Sequence, residues 1–260
     1  MSDRSDLLVG IASGALAAIA TGLGIAMGRS LIDRASQRKL PSKSTSAPML
    51  RSSSERLIVV APDPRLGINF ETAVETVAAM KSLKPGPVAL AVHTLGGQAS
   101  AVAYLARAIR TSPHVVTAYV PYVAMSGGTI VALAADSLVM DRAAVLGPVD
   151  PQFAWGPGHI LRELLQRSSE HLSEEYFIAG REAEKAIAET GSLLGELGVP
   201  SEARGRLING DTTHGHSITF DEAVELGLAV QEGVPGEIRE RVDWVIEEQR
   251  NNRDPFVIFR

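Results

Sequence analysis

From residue 56 onward, short apolar runs alternate with longer segments whose apolar positions recur every three or four residues. RLIVVA (56–61) is short and β-branched and reads as a buried strand. ETAVETVAAMKSL (71–83) has helical spacing, and PVALAVHT (87–94) reads as a second strand that runs into Gly96-Gly97. SAVAYLARAIRTS (100–112) predicts a helix with its apolar face at Val102, Leu105, Ala106 and Ile109. A strand at HVVTAYV (114–120), a helix over 126–135, a strand at SLVMD (137–141) and an extended segment at AVLGPVD (144–150) follow. Regular strand–helix alternation predicts an α/β fold with parallel strands and right-handed crossovers. Sites in such sheets form outside the carboxyl ends of the strands, where Gly96-Gly97 and Ser126 both fall. Two loops should therefore meet at one crevice.

The remainder is more helical. Residues 170–197 read as one long helix or two, and HSITFDEAVELGLAV (216–230) as a strand or loop, a helix stopped by Gly227, and a strand. A last helix is expected at 243–249, and the apolar tail RDPFVIFR (253–260) should dock on something.

The opening of the chain has a different pattern. LLVGIASGALAAIATGLGIAMG (7–28) runs 22 residues without a charge, long enough to cross a bilayer as a helix. A signal peptide fits less well, since MSDRSD carries two acids against one Arg. Arg29, Arg34, Arg38, Lys39 and Lys43 follow the span and bias the C-terminal bulk to the cytoplasm. Ser-rich residues 35–55 form a tether. The expected organisation is an anchor (1–29), a tether (30–55), a catalytic domain (56–250) and a tail (251–260), in a single-pass membrane protein.

Charge and composition narrow the chemistry. A net charge of −5 offers no basic footprint for nucleic acid. Cysteine is absent, which removes thiol catalysis, disulfides and Cys-based metal sites. No phosphate loop, dinucleotide fingerprint or metal-binding helix motif is visible, so neither cofactor nor metal is expected.

In AMSGGTIVALAAD (124–136), Ser126 precedes two glycines and an apolar helix. A lone serine there is most simply an N-cap. The helix N-terminus, however, offers unpaired N–H groups to an oxyanion, and Gly127 and Gly128 allow close approach to the backbone. A further N–H from Gly96-Gly97 would complete what acyl transfer needs. On these residues alone, cap and nucleophile stay open.

HTLGGQA (93–99), AMSGGTIVALAAD and LGPVDPQ (146–152), within a match from about Arg56 to Val230, resemble the ClpP/crotonase-like serine peptidases. The resemblance points to the membrane-anchored serine dehydrogenase proteinase family, kin to signal peptide peptidase A and the NfeD-type proteases. It implies a ClpP/crotonase-like fold of repeated ββα/βα units behind one transmembrane helix. It also implies Ser126 as nucleophile, an oxyanion hole from Gly96, Gly97 and Gly127, a peptide or protein substrate, and a homo-oligomer. ClpP itself uses a histidine and an aspartate, whereas the signal peptide peptidase and NfeD branches use a lysine. DPQFAWGPG (150–158) contains no histidine, and His159 just beyond it competes as base. Of five lysines only Lys185, in AGREAEKAIAET (179–190), follows the serine. The resemblance therefore implies a Ser126–Lys185 dyad. A free lysine titrates near ~10.4, so a lysine base at neutral pH must be buried. The dyad thus requires Lys185 to lie against Ser126, away from Glu182 and Glu189, its neighbours at helical spacing.

Other residues carry two readings each. His93, at the end of a strand, could touch substrate or be structural. Asp150 could orient a catalytic group or cap the turn before Pro151. His214 and His216, with Asp211, resemble a metal cluster, but a structural or rim role fits the resemblance better. Asp136 should make a helix-end contact. Rival functions are a crotonase-like acyl-CoA binding or hydrolysing protein, and a membrane scaffold with a degenerate site.

Overall fold

The computed structural model describes residues 56–168 and 172–252. The expected anchor (7–28), tether and apolar tail lie outside those residues. Among the described residues no helix is long and apolar enough to cross a membrane.

The strands are β1 (Leu57–Val60), β2 (Pro87–Val92), β3 (Val115–Val120), β4 (Val123–Ala124), β5 (Ser137–Met140), β6 (Val145–Leu146), β7 (Gln152–Phe153), β8 (Gly156–Pro157) and β9 (Val230–Glu232). The helices are α1 (Phe70–Ser82), α2 (Ala99–Arg110), α3 (Gly127–Leu133), α4 (Gly158–Ser168), α5 (Glu174–Glu196), α6 (Ser201–Ile208), α7 (Phe220–Glu225) and α8 (Gly236–Asn252). Five strands form one parallel sheet in the order β1-β2-β3-β5-β9, in register at Leu57↔Ala89, Ala89↔Thr117, Thr117↔Ser137 and Leu138↔Val230.

The sheet is covered on both faces, which explains why β1 and β2 are continuous apolar runs rather than alternating. Ile58, Val60, Leu90 and Val92 point into the larger core with Val77 of α1 and Val102, Leu105 and Ile109 of α2. Leu57, Val59, Ala89 and Ala91 point the other way, against Ile238, Val242 and Val245 of α8. Helix α1 begins where the Asn69 side chain accepts the Thr72 N–H at 2.9 Å, and α7 begins at a Thr219–Glu222 capping box.

A second, smaller layer positions the site. β4 pairs with β6 in parallel, Thr94 bridges to Ala124 on one side, and Leu146 bridges antiparallel to Ile218 on the other. β3 and β4 leading into α3 make one of the expected ββα units. Residues 174–196 form one helix rather than two, and the last helix is longer than expected, starting at Gly236. The β7–β8 hairpin, α4 and α6 had no clear signal. They follow prolines and glycines (Pro151, Gly156, Pro157, Pro200) in segments of mixed polarity, and they form by packing on α5 and on the core.

Candidate active site

Ser126 sits at the turn from β4 into α3 with φ 51° and ψ −120°. It is the one non-glycine residue with positive φ among the described residues. Such a conformation costs on the order of 1–3 kcal/mol for a residue bearing a Cβ. The hydroxyl makes no capping bond to the helix. The cap reading therefore has no geometric basis, and the turn instead presents the side chain at the head of the helix.

The glycine loop is pressed against this serine. A Cβ on Gly96, which has φ 129°, would lie 2.9 Å from Ser126 Cβ, 3.2 Å from Ser126 Oγ and 3.4 Å from the Gly127 nitrogen. Likewise, a Cβ on Gly127 would lie 3.4 Å from the Gly97 nitrogen. Only glycine permits this approach. The loop is fixed from behind. Gly96 N–H donates to the buried Thr94 hydroxyl at 3.1 Å, and Gly96 O accepts Ile68 N–H at 2.8 Å. Of the three glycines expected to form an oxyanion hole, Gly96 thus has its N–H engaged and serves by allowing contact. The backbone nitrogens of Gly97 and Gly127 lie on the two facing turns, each 3.4 Å from where a Cβ on the opposite glycine pair would sit. Gly127 opens α3, so its N–H is one of those without a partner inside the helix.

Lys185 does not meet the condition for a dyad. Its side chain is 64% exposed, and Nζ donates to Glu182 Oε1 at 2.6 Å. The reason is the phase of α5: Ala179, Ala183 and Ile187 form its buried stripe, which turns Lys185 outward toward the residue three positions back. The expectation that Lys185 is buried against Ser126 is corrected accordingly.

A cluster of histidines gathers instead around a buried carboxylate. The Asp150 side chain is completely buried. Its Oδ1 meets His214 Nδ1 at 2.7 Å, and its Oδ2 accepts Gln152 Nε2–H at 2.6 Å. His159 Nδ1 stands 3.4 Å from Oδ2, and the His159 ring packs on Gly210. With Nδ1 on the carboxylate, His214 keeps Nε2 for other work. Asp150 therefore does more than cap a turn.

This cluster is joined to the serine turn through Thr129 on α3. The fully buried Thr129 hydroxyl is 2.7 Å from Ala124 O and 2.9 Å from Gly147 O, and it accepts Gly147 N–H at 3.0 Å. Gly147 follows β6 and also packs on Met125. One side chain thus connects the end of β4, two residues before Ser126, with the limb that leads to Asp150. Val149 N–H donates to Leu207 O at 2.8 Å, which holds that limb against α6, ahead of the loop carrying His214.

His93 directly precedes Thr94, and its ring faces a cavity of about 690 Å³ that Asp243, Ile246 and Arg250 also line. The ring meets Tyr122 edge-on at 5.8 Å. Burial lowers the His93 pKa, partly opposed by the Asp243 charge. The Tyr122 hydroxyl donates to Asp243 at 2.6 Å, and burial together with that carboxylate pushes its pKa up to about 12. His216 meets Glu222 at 3.0 Å while His214 turns to Asp150, so the two rings address different carboxylates rather than a shared ion. Asp136 makes the expected contact, accepting Val116 N–H at 2.8 Å.

Compared with known families, residues 67–259 match the ClpP-like SDH-type serine proteinases. The chain belongs to this family. The chain is also similar to two curated proteins from Methanocaldococcus jannaschii. Uncharacterized protein MJ0137 is 36% identical over 180 residues, covering 66% of this chain and 63% of the relative. Uncharacterized protein MJ1495 is 34% identical over 185 residues, covering 68% and 63%. The chain thus spans less than two thirds of the length of either relative. Among solved structures, ClpP1 from Listeria monocytogenes superposes with a TM-score of 0.50 at 15% identity, covering 69% of this chain and 93% of that one. That likeness establishes the ClpP-like fold.

Within this proteinase family the Ser126 turn and the glycine loop were legible in advance. His214 was missed. Its one sequence signal was an isolated THGH (213–216) in a loop, with its carboxylate 64 positions upstream.

Proposed function

We propose that the protein is a serine peptidase in which Ser126 is the nucleophile and His214, oriented by Asp150, is its base. The observation that carries the reading is Ser126 held at positive φ against Gly96, with its hydroxyl uncommitted to the helix. His214 Nε2 takes the Ser126 proton as Oγ attacks a peptide carbonyl. The N–H groups of Gly97 and Gly127 receive the oxyanion. His214 returns the proton to the leaving amine, and water then clears the acyl-enzyme by the same sequence. Asp150 keeps the Nδ1 tautomer and balances the imidazolium. The Ser126–Lys185 dyad has less support, because Lys185 is held by Glu182 at the surface.

The test is labelling of the full chain by a small fluorophosphonate. Labelling lost in Ser126→Ala and strongly slowed in His214→Gln and Asp150→Asn is expected, with Lys185→Ala close to wild type. Labelling that survives His214→Gln and disappears in Lys185→Ala would restore the dyad. The proposal extends to location: residues 7–28 hold the chain in a membrane with the catalytic domain on the cytoplasmic side, as part of a homo-oligomer. Carbonate-resistant membrane association, lost on deleting residues 1–29, is the expected result; an unchanged soluble fraction refutes the anchor.

A further inference from the structure

His159 has no part in the steps above, yet it lies against both the buried acid and the loop that carries His214. Its side chain is 16% exposed, and Nδ1 is buried without a hydrogen-bond partner among the described residues. The group that Nδ1 faces is the Asp150 carboxylate, with Oδ2 at 3.4 Å. The ring itself lies on Gly210, where a Cβ would sit 2.4 Å from both Cγ and Cδ2 of the imidazole. Gly210, at φ 78°, follows α6 and starts the turn from which the chain runs to His214. The backbone holding the ring is tied to the acid as well. Gly158, the residue before His159, donates its N–H to the carbonyl of Pro151, the residue after Asp150, at 2.8 Å. A single imidazole is therefore wedged between the acid and the start of the His214 loop.

A buried histidine that only fills space against a glycine could be a phenylalanine. The nitrogen is what distinguishes this one. A bare Nδ1 would set its lone pair against a carboxylate oxygen, so the favourable tautomer carries the proton on Nδ1 and aims N–H at Oδ2. The separation exceeds an ordinary N–H···O bond by roughly a few tenths of an ångström, which a small movement of the ring closes. Gln152 already donates to the same oxygen at 2.6 Å, while Oδ1 meets His214 Nδ1 at 2.7 Å. A carboxylate can turn about its Cβ–Cγ bond. Donors on Oδ2 oppose that turn and keep Oδ1 aimed at His214.

We infer that His159 is a positioning residue whose Nδ1–H holds the Asp150 carboxylate in the orientation that serves His214. The inference rests on His214 being the base for Ser126, and it adds a residue that acts on the reaction through Asp150. Contact of the ring with Gly210 fixes which way Nδ1 points.

The test follows fluorophosphonate labelling of the full chain over a range of probe concentrations, which separates the maximal labelling rate from probe affinity. His159→Phe keeps a ring on Gly210 and removes the N–H. His159→Asn keeps an N–H near the place of Nδ1, and His159→Leu matches Asn in size without it. His159→Phe and His159→Leu should lower the maximal rate about 10–100-fold with probe affinity unchanged. His159→Asn should recover most of that loss, and thermal melting checks folding in each. In an Asp150→Asn background, His159→Phe should cost less than about threefold more, because its route through Asp150 is already gone. The positioning role is overturned by a wild-type rate in His159→Phe, by His159→Asn no faster than His159→Leu, or by losses that simply multiply with Asp150→Asn. The Asn–Leu comparison decides the matter even if His159→Phe does not fold. If His214→Gln is strongly slowed while His159→Phe labels normally, the base stands and the positioning role alone falls. If His214→Gln labels normally, the base falls and the role of His159 with it.

Discussion

Two basic side chains in this molecule each meet a carboxylate, and they mean opposite things. Lys185 pairs with Glu182 within one turn of α5, and both side chains are more than half exposed. His214 pairs with Asp150 across 64 positions of chain, and the carboxylate is entirely buried. The first pair follows from helical spacing alone and contributes little, since exposed ion pairs are worth about 0–1 kcal/mol. The second required the fold to bring a loop to a buried acid. An ionised group left unpaired there would be costly. Proximity in sequence thus accounts for the first pair, and only the fold accounts for the second, the pair proposed to serve Ser126.

The sharpest way to break this comparison is to neutralise the two acids in turn. Asp150→Asn and Ser126→Ala should each lower kcat/KM on a peptide substrate by about 10³-fold or more, by analogy with other serine hydrolases. Glu182→Gln should change it by less than about twofold. Equal effects of the two acid substitutions would remove the distinction.

Next comes Gly96→Ala. Its φ of 129° and the 2.9 Å approach to Ser126 Cβ leave no room for a methyl group, so the loop must shift. A loss of about 1–3 kcal/mol in stability is expected by chemical denaturation, with a larger loss of kcat than of stability. The same substitution at Gly198, where φ is 81° but no atom lies within 4 Å, should cost stability alone.

Thr129 tests the link between the serine turn and Asp150. Thr129→Val keeps the volume but leaves Gly147 N–H without its partner, at a cost of about 1–3 kcal/mol. Activity should fall about 10–100-fold through kcat, as misplaced groups do, and Thr129→Ser should restore most of it. A uniform loss in which Ser fails to rescue would make Thr129 a packing residue only.

The pH dependence of stability provides a smaller effect, at His93. Burial lowers the folded-state pKa of His93 below its unfolded value near ~6.5. Between the two values the unfolded chain binds the extra proton, so stability rises with pH through that window. The His93 contribution is complete above the unfolded pKa and is lost as pH falls toward the folded one. Melting temperature should therefore drop on acidification from about pH 7 to pH 5, and His93→Leu should flatten part of the slope. The smallest effect belongs to Lys185→Ala, with a change in stability of about 0.5 kcal/mol or less.

Much of the fold was legible because both faces of the sheet are covered, which makes LIVV, VALAV and VVTAYV stand out as continuous apolar runs. The serine turn was legible because a hydroxyl before two glycines at a helix start has few uses. The proposed base was harder. Lys185 drew attention by being the one lysine downstream, yet Ala179, Ala183 and Ile187 already marked the buried face of its helix, and it stands off that face. His214 lies in a loop without periodicity, so nothing local tied it to Asp150.

The sequence by itself determined the alternating α/β layout, the family, the serine with its two glycine turns and the 22-residue apolar opening. These are local properties, written in apolar spacing and in residues with special backbone freedom. Only the tertiary structure decided that the glycine loop packs against Ser126, that Lys185 faces water, and that Asp150 gathers His214, Gln152 and His159. Those outcomes depend on helix phase and on contacts between residues far apart in the chain, which no short stretch of sequence encodes.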